Sequence, residues 1–484
     1  MSRYTKQIRD IEPVSRRLEP SHEERAQITA RVTGYAAEFL DKIYELPAFV
    51  AGHGEGRGLY DSPISDDPID IATALDLIRD NVDAVALNPA SGGPLGYIPG
   101  GGVYPAALGD YLADVTNRFA GIYFVGPGAV RMEHMLTRWM AKIIGYPPAA
   151  AGDLTSGGSV ANLVAIVTAR DAHELRGRDF ETTVVYLTGQ VHHSLDKALR
   201  IAGLGECVVR RIALDEKYRM RADVLQAAVE ADKKAGLNPW LVIASAGTTD
   251  TGAVDPLAAI GDVAARYGLW FHVDAAYGGF FILCEEGPRI LQGMERCDSI
   301  VMDPHKGLFL PYGTGAVVVR DKTHLHKAHA YQAHYMQDAD EAADEYSPAD
   351  HSPELTRHYR GMRMWLPLKL FGLKPFRACL EEKLLLTRHF HSEIQRVDGF
   401  EAGPLPDLSV MTYRYVPRHG DANEFNRRLV REVQQDGRVF ITSTLLGDTF
   451  VLRLAVLSFR THLDTIEQAL EVLREKARLI EESA

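Results

Sequence analysis

The chain has 484 residues, with 53 Lys+Arg against 65 Asp+Glu, a formal charge of −12, and 46% hydrophobic residues. This is ordinary globular composition, too apolar for a disordered chain and too poor in Gly and Pro for a collagen-like or low-complexity one. The acidic balance argues against a nucleic-acid binder that depends on phosphate contacts.

The opening MSRYTKQIRDIEPVSRR lacks the apolar core of a secretory signal. No apolar run approaches the ~20 residues that span a bilayer, so no membrane association is expected. Cys207, Cys284, Cys297 and Cys379 are scattered without a C-x-x-C pair. In so long a chain they read as reduced thiols of a soluble, cytoplasmic protein.

Residues 1–103 are polar and helix-prone, then rich in Gly and Pro. The stretch LNPASGGPLGYIPGGG (87–102) cannot form a regular helix and reads as a long, functional loop. Strand-like and helix-like segments then alternate. Candidate strands are TTVVYL (182–187), CVVRRIAL (207–214), WLVIASA (240–246), LWFHVDA (269–275), SIVMD (299–303) and GAVVVR (315–320). Helical patterns such as ADVLQAAVEADKKAG and PLAAIGDVAARYG separate them, the latter bounded by Pro256 and Gly268. The strands are continuous apolar runs, as expected when helices cover both faces of a sheet. An α/β domain with a mostly parallel sheet is therefore predicted over 104–374. DADEAADE (338–345) reads as a solvated loop. Residues 375–484 read as a smaller α+β unit ending in the helix DTIEQALEVLREKARLIEES.

Chemistry concentrates in three places. In SIVMDPHKGLFLPYG, Lys306 leaves a buried strand, where desolvation depresses an amine pKa and a neutral amine attacks an aldehyde. Alone, a lysine after a strand is commonplace. In WFHVDAAYGG, Asp274 ends a strand, the position where open α/β sheets bind ligands. A carboxylate in an apolar strand needs a cation, and a protonated pyridine nitrogen is one. Together, Asp274 and Lys306 suit the two ends of pyridoxal 5'-phosphate. In LTSGGSVANLVAIVTAR, Gly157, Gly158 and Ser159 precede an amphipathic helix whose N-terminal N–H groups suit a phosphate. A simple helix cap by Ser156 or Ser159 is the alternative there. Neither nucleotide-loop pattern, G-x-x-x-x-G-K-[ST] or G-x-G-x-x-G, is present.

HVDAAY followed by PHK, with the Gly-Gly-Ser turn, resembles the group II pyridoxal-phosphate-dependent amino-acid decarboxylases, particularly the aromatic-L-amino-acid decarboxylase branch. The resemblance runs from about Tyr97 to Leu457. It implies a fold-type I, aspartate aminotransferase-like large domain with a mostly parallel seven-stranded sheet. It also implies a homodimer with a shared active site, an N-terminal dimerisation segment and an amino-acid substrate. Lys306 matches the lysine that bonds the cofactor, Asp274 the carboxylate on its ring nitrogen, Ala276 the small residue against the ring, and His192 the stacking histidine. Thr249 and His305 match residues beside the cofactor, and Tyr97 a residue of the substrate pocket.

His324, His326, His329 and His334 invite a zinc reading, but their spacing fits no usual site and no metal is expected. By resemblance, about 322–357 is the mobile catalytic loop, and Tyr335 is its proton-donating tyrosine. Tyrosine there favours amine over aldehyde formation, the activity of the sister aldehyde synthases. Decarboxylation of tyrosine, phenylalanine, tryptophan or DOPA is implied, with glutamate or diaminobutyrate, or cofactor binding without turnover, as alternatives. Thr356 hints at phenolic side chains. Three positions depart from the animal enzymes: Asp303 where Asn is usual, Gly307 where Trp is usual, and Arg131 where an acid is usual, although Glu133 is kept. A carboxylate beside a phosphate is costly, so Asp303 is expected to point away from it.

Overall fold

The computed structural model describes residues 3–52, 56–331 and 345–483. Its centre is a seven-stranded sheet of β1 (Ala151–Thr155), β2 (Thr183–Leu187), β3 (Val208–Arg211), β4 (Asn238–Ser245), β5 (Trp270–Asp274), β6 (Ser299–Met302) and β7 (Gly315–Val319). Their spatial order is β1-β7-β6-β5-β4-β2-β3. From β6 to β3 every pairing is parallel. Only β7 runs against its neighbours, β6 and β1. The fold is thus the fold-type I arrangement that the alternating pattern and the resemblance imply. Five strands lie within the apolar runs expected of them, and β4 begins two residues before its run. The seventh, β1, escaped because AGDLT carries Gly and Asp instead of an apolar run; register with β7 makes it a strand.

Strand alternation decides what the sheet presents on each face. Along β5, Phe271 and Val273 join the core cluster on one face, while Trp270 joins the cluster on the other. His272 and Asp274 therefore share the face of Trp270. That face is covered by the helix Gly158–Ala172, whose Ala161, Val164, Ala165 and Ala169 are buried in the same cluster. Polar residues of β5 thus meet a helix whose small residues allow close approach.

A second, five-stranded sheet has its own apolar core with the helices Ala422–Asp436 and Leu463–Glu482. Here the 87–102 stretch departs from expectation. Within it Pro94–Leu95 is a short strand, parallel to Phe440–Ile441 at the sheet edge, where a proline costs no ladder bond. The 322–357 segment also departs, since Lys322–His329 is a helix capped by Asp321. At the other end of the chain, the helices Arg3–Ser15 and His22–Asp41 bury none of their residues.

Candidate active site

Beyond the carboxyl ends of β1, β4, β5 and β6 lies a cavity of about 430 Å³. Its lining includes ten of the residues singled out from sequence: Gly157, Gly158, Ser159, His192, Thr249, Asp274, Ala276, His305, Lys306 and Tyr97. Tyr335 lies outside the described residues.

One wall is the start of the helix Gly158–Ala172. Gly157 is its N-cap and supplies no side-chain hydrogen bond, so the cap by Ser156 or Ser159 is not formed. Among the described residues the N–H groups of Gly158 and Ser159 have no partner, and they carry the positive end of the helix dipole. Close approach is possible because a Cβ on Gly158 would stand 2.9 Å from Asp303 Oδ2 and 3.3 Å from Ala276 Cβ.

At the end of β5 the cavity is lined by Asp274, which is 8% exposed. Its Oδ1 accepts from Ala276 N at 3.1 Å and its Oδ2 from Asn162 Nδ2 at 3.1 Å. His192 caps the helix His193–Ile201, its Nδ1 accepting from Ser194 N at 3.2 Å. Burial holds its pKa below the ordinary imidazole value, so it is a neutral ring.

Lys306 stands on the short turn Pro304–Gly307 after β6. Two expectations are corrected here. Burial does depress its amine, but the carboxylates of Asp303 and Asp274 outweigh burial, and the net pKa is raised. Asp303 does not point away either: its Oδ2 is 3.0 Å from Lys306 Nζ and 3.6 Å from His305 Nε2, and the residue is 1% exposed. The ammonium compensates the buried carboxylate, as a buried charge requires. Gly307 plays a packing part instead, since a Cβ there would meet Phe280 Cβ at 2.7 Å.

Tyr97 is 67% exposed at the cavity mouth and stacks on Phe440 with ring centroids 5.7 Å apart. Tyr97 and Ile98 both have φ of 57°, a left-handed conformation that costs energy and concentrates at functional sites. Thr356 is exposed and is not among the cavity's lining residues.

Sequence reasoning missed Asn162, Ser194 and Arg453, which also line the cavity. Arg453 is 5% exposed, and its Nε and Nη2 have no hydrogen-bond partner among the described residues. A buried guanidinium with two free donors is suited to a carboxylate. The sequence signal was a lone charge inside TFVLRLAV.

A lysine, a buried carboxylate, a neutral histidine and an uncapped helix start converge on one cavity, which fits pyridoxal phosphate. Fold and site together define a fold-type I pyridoxal-phosphate enzyme. The family model for the pyridoxal-dependent decarboxylase conserved domain matches residues 84–416, and the chain belongs to that family of carboxy-lyases. It is 34% identical over 393 residues to an aromatic-L-amino-acid decarboxylase of Bacillus atrophaeus, covering 80% of this chain and 81% of that one. It is 30% identical over 391 residues to tyrosine decarboxylase 2 of Arabidopsis thaliana, covering 77% of this chain and 71% of the relative. The crystal structure of Oryza sativa TDC with PLP and tryptamine superposes with a TM-score of 0.90 at 25% identity, over 95% of this chain and 99% of that one.

Proposed function

We propose that the protein removes the carboxyl group of an aromatic L-amino acid, releasing the amine and carbon dioxide. The observation that carries this reading is the convergence of Lys306, Asp274 and His192 on one cavity in a chain so similar to aromatic-L-amino-acid decarboxylases. Pyridoxal phosphate, when bound, supplies an aldehyde for amines and a ring that takes up the electrons left by the departing carboxylate. Lys306 Nζ is the resident amine for that aldehyde. The free N–H groups at Gly158 and Ser159 hold the phosphate. Asp274 would keep a proton on the ring nitrogen, and His192 and Ala276 would pack against the ring. Thr249 and His305 stand beside it. Arg453 meets the substrate carboxylate, and Tyr97 lines the path of the side chain. Tyr335 returns a proton to the α-carbon, which favours amine over aldehyde as product.

The active form is a cytoplasmic homodimer. Its support is the N-terminal region, where Ile8, Ile11 and Val14 of an unburied helix are each more than half exposed, and the four free cysteines. Purified protein is expected to be yellow and to release carbon dioxide from tyrosine, tryptophan, phenylalanine or DOPA in preference to glutamate or diaminobutyrate. Lys306→Ala is expected to abolish both colour and release. Preference for glutamate would sink the substrate assignment, and a colourless wild type would sink the reading of the site. Tyr335→Phe is expected to divert product toward aldehyde; an unchanged amine yield would remove Tyr335 from its role.

A further inference from the structure

Behind the cavity wall runs a chain of hydrogen bonds that begins at a group able only to donate. Trp270 Nε1 donates to Ser299 Oγ at 2.8 Å. Ser299 Oγ is also 2.8 Å from His272 Nδ1, and His272 Nε2 is 3.0 Å from Asn162 Oδ1. Asn162 Nδ2 is 3.1 Å from both Asp274 Oδ2 and Ser194 Oγ. Ser194 Oγ is 2.8 Å from His192 Nδ1. Trp270, Asn162, Ser194, His272 and Ser299 are all buried, so each polar atom must be satisfied from within the chain.

The directions follow from chemistry. Burial lowers the His272 pKa to about 4, so its ring carries one proton. An amide oxygen can only accept, so that proton is on Nε2, and Nδ1 accepts from the Ser299 hydroxyl. With Asn162 Oδ1 occupied by His272, its Nδ2 faces the cavity side and donates its two hydrogens, one to Asp274 and one to Ser194. Ser194 Oγ, already accepting from Asn162, turns its own hydrogen to His192 Nδ1 at 2.8 Å, a shorter bond than the one Nδ1 accepts from Ser194 N at 3.2 Å. Every bond points the same way, from the indole toward the cavity.

We propose that Asn162 is a positioning residue that sets two groups of the cofactor site at once: it anchors the Asp274 carboxylate and, through the Ser194 hydroxyl, holds His192 as the Nε2–H tautomer. His192 is then left with one polar atom that has no partner among the described residues, the donor Nε2–H, for the cavity. Reversing the amide would aim an oxygen at the Asp274 carboxylate and release Ser194 from its direction. The Asp274 carboxylate, which can only accept, forbids that reversal, and His272 meets the amide oxygen with its Nε2–H accordingly. The inference rests on the assignment of Asp274 and His192 to the cofactor, but the tautomer can be read without cofactor.

Nitrogen-15 correlation spectra of histidine-labelled, cofactor-free protein distinguish Nδ1–H from Nε2–H imidazole. Wild type is expected to show His192 protonated on Nε2 alone. Ser194→Ala, which leaves Nδ1 only the longer bond from the backbone N–H of residue 194, and Asn162→Ala are each expected to add a detectable share of the Nδ1–H tautomer. Only Asn162→Ala removes the donor on Asp274 Oδ2, so only it is expected to weaken retention of pyridoxal phosphate, by about tenfold, with the far-ultraviolet dichroism of wild type. His192 protonated on Nδ1 in wild type would overturn the proposal. So would an unaltered His192 signal in Ser194→Ala, a variant that keeps the Asn162 bond to Asp274 and decides the matter even if Asn162→Ala does not fold. Equal cofactor retention in folded Asn162→Ala and wild type would remove the Asp274 arm. A wild type that takes up no pyridoxal phosphate would instead overturn the cofactor reading and leave the tautomer result standing.

Discussion

Asp303 shows how a single side chain alters the electrostatics of this site. Its carboxylate stands 3.0 Å from Lys306 Nζ, and one of its oxygens, Oδ1, has no hydrogen-bond partner among the described residues. Burial favours the neutral amine of Lys306, whereas Asp303 and Asp274 favour the ammonium and prevail. Only the neutral amine attacks an aldehyde. Asp303→Asn keeps the shape and deletes the charge, so the amine becomes neutral at lower pH. The pH midpoint for capture of pyridoxal phosphate by cofactor-free protein is expected to fall by about one unit, equivalent to about 1.4 kcal/mol. Stopped-flow absorbance across pH measures it, and an unmoved midpoint would mean that Asp303 does not govern the lysine.

Among the elements, three separate pieces are joined by one arginine. Arg357, with no exposed side-chain surface, reaches Asp153 of β1 at 2.5 Å and Glu133 of the helix Pro127–Ile144 at 3.1 Å. It also donates to the carbonyl of Leu154, and Glu133 accepts from Gly361 N at 3.0 Å, where the helix Gly361–Phe371 begins. This gives Glu133, noted in sequence only as an acid beside Arg131, a structural partner. Arg131 itself lies over the Tyr123 ring at 5.2 Å. Removing one partner of a buried ionic cluster strands the others. Arg357→Met is therefore expected to cost about 3–5 kcal/mol. Urea unfolding would show it, and adding Glu133→Gln and Asp153→Asn to that variant is expected to recover part of the loss.

On the scale of the whole molecule, burial of histidines shapes the acid limb of stability. Burial lowers His272 to about 4 and His351 to about 3, and depresses His134, His173, His305 and His329 as well. The unfolded chain takes up protons near the ordinary histidine value of about 6.5, while the folded chain refuses them. Each such group therefore contributes stability that is complete above about 6.5 and is lost as pH falls toward its folded pKa, at about 1.4 kcal/mol per pH unit. His351 stacks on Tyr346 with centroids 3.9 Å apart, and its Nδ1 has no hydrogen-bond partner among the described residues, so His351→Phe preserves the packing and deletes the titration. Between pH 6 and 4 its folding stability is expected to fall less steeply than that of wild type, by about one proton. Denaturant midpoints measured across that range test it, and parallel slopes would contradict it.

The sequence by itself determined the alternating α/β architecture, because parallel strands buried on both faces must be short apolar runs. It also marked Lys306, Asp274 and the Gly157–Gly158–Ser159 turn, because a strand end followed by polar or glycine residues is a local pattern. Only the tertiary structure decided what those groups touch. Asn162 and Asp274 are 112 residues apart and share a hydrogen bond because strand alternation and sheet order put β5 beneath one helix. Asp303 turned inward because a lysine three residues on supplies a compensating charge once both are buried. Arg453 and Ser194 reached the cavity through a different sheet and a different helix. β1, with no apolar run, became a strand through pairing with β7 alone. Local chemistry names the reactive groups, whereas burial and long-range register choose their partners, protonation and direction.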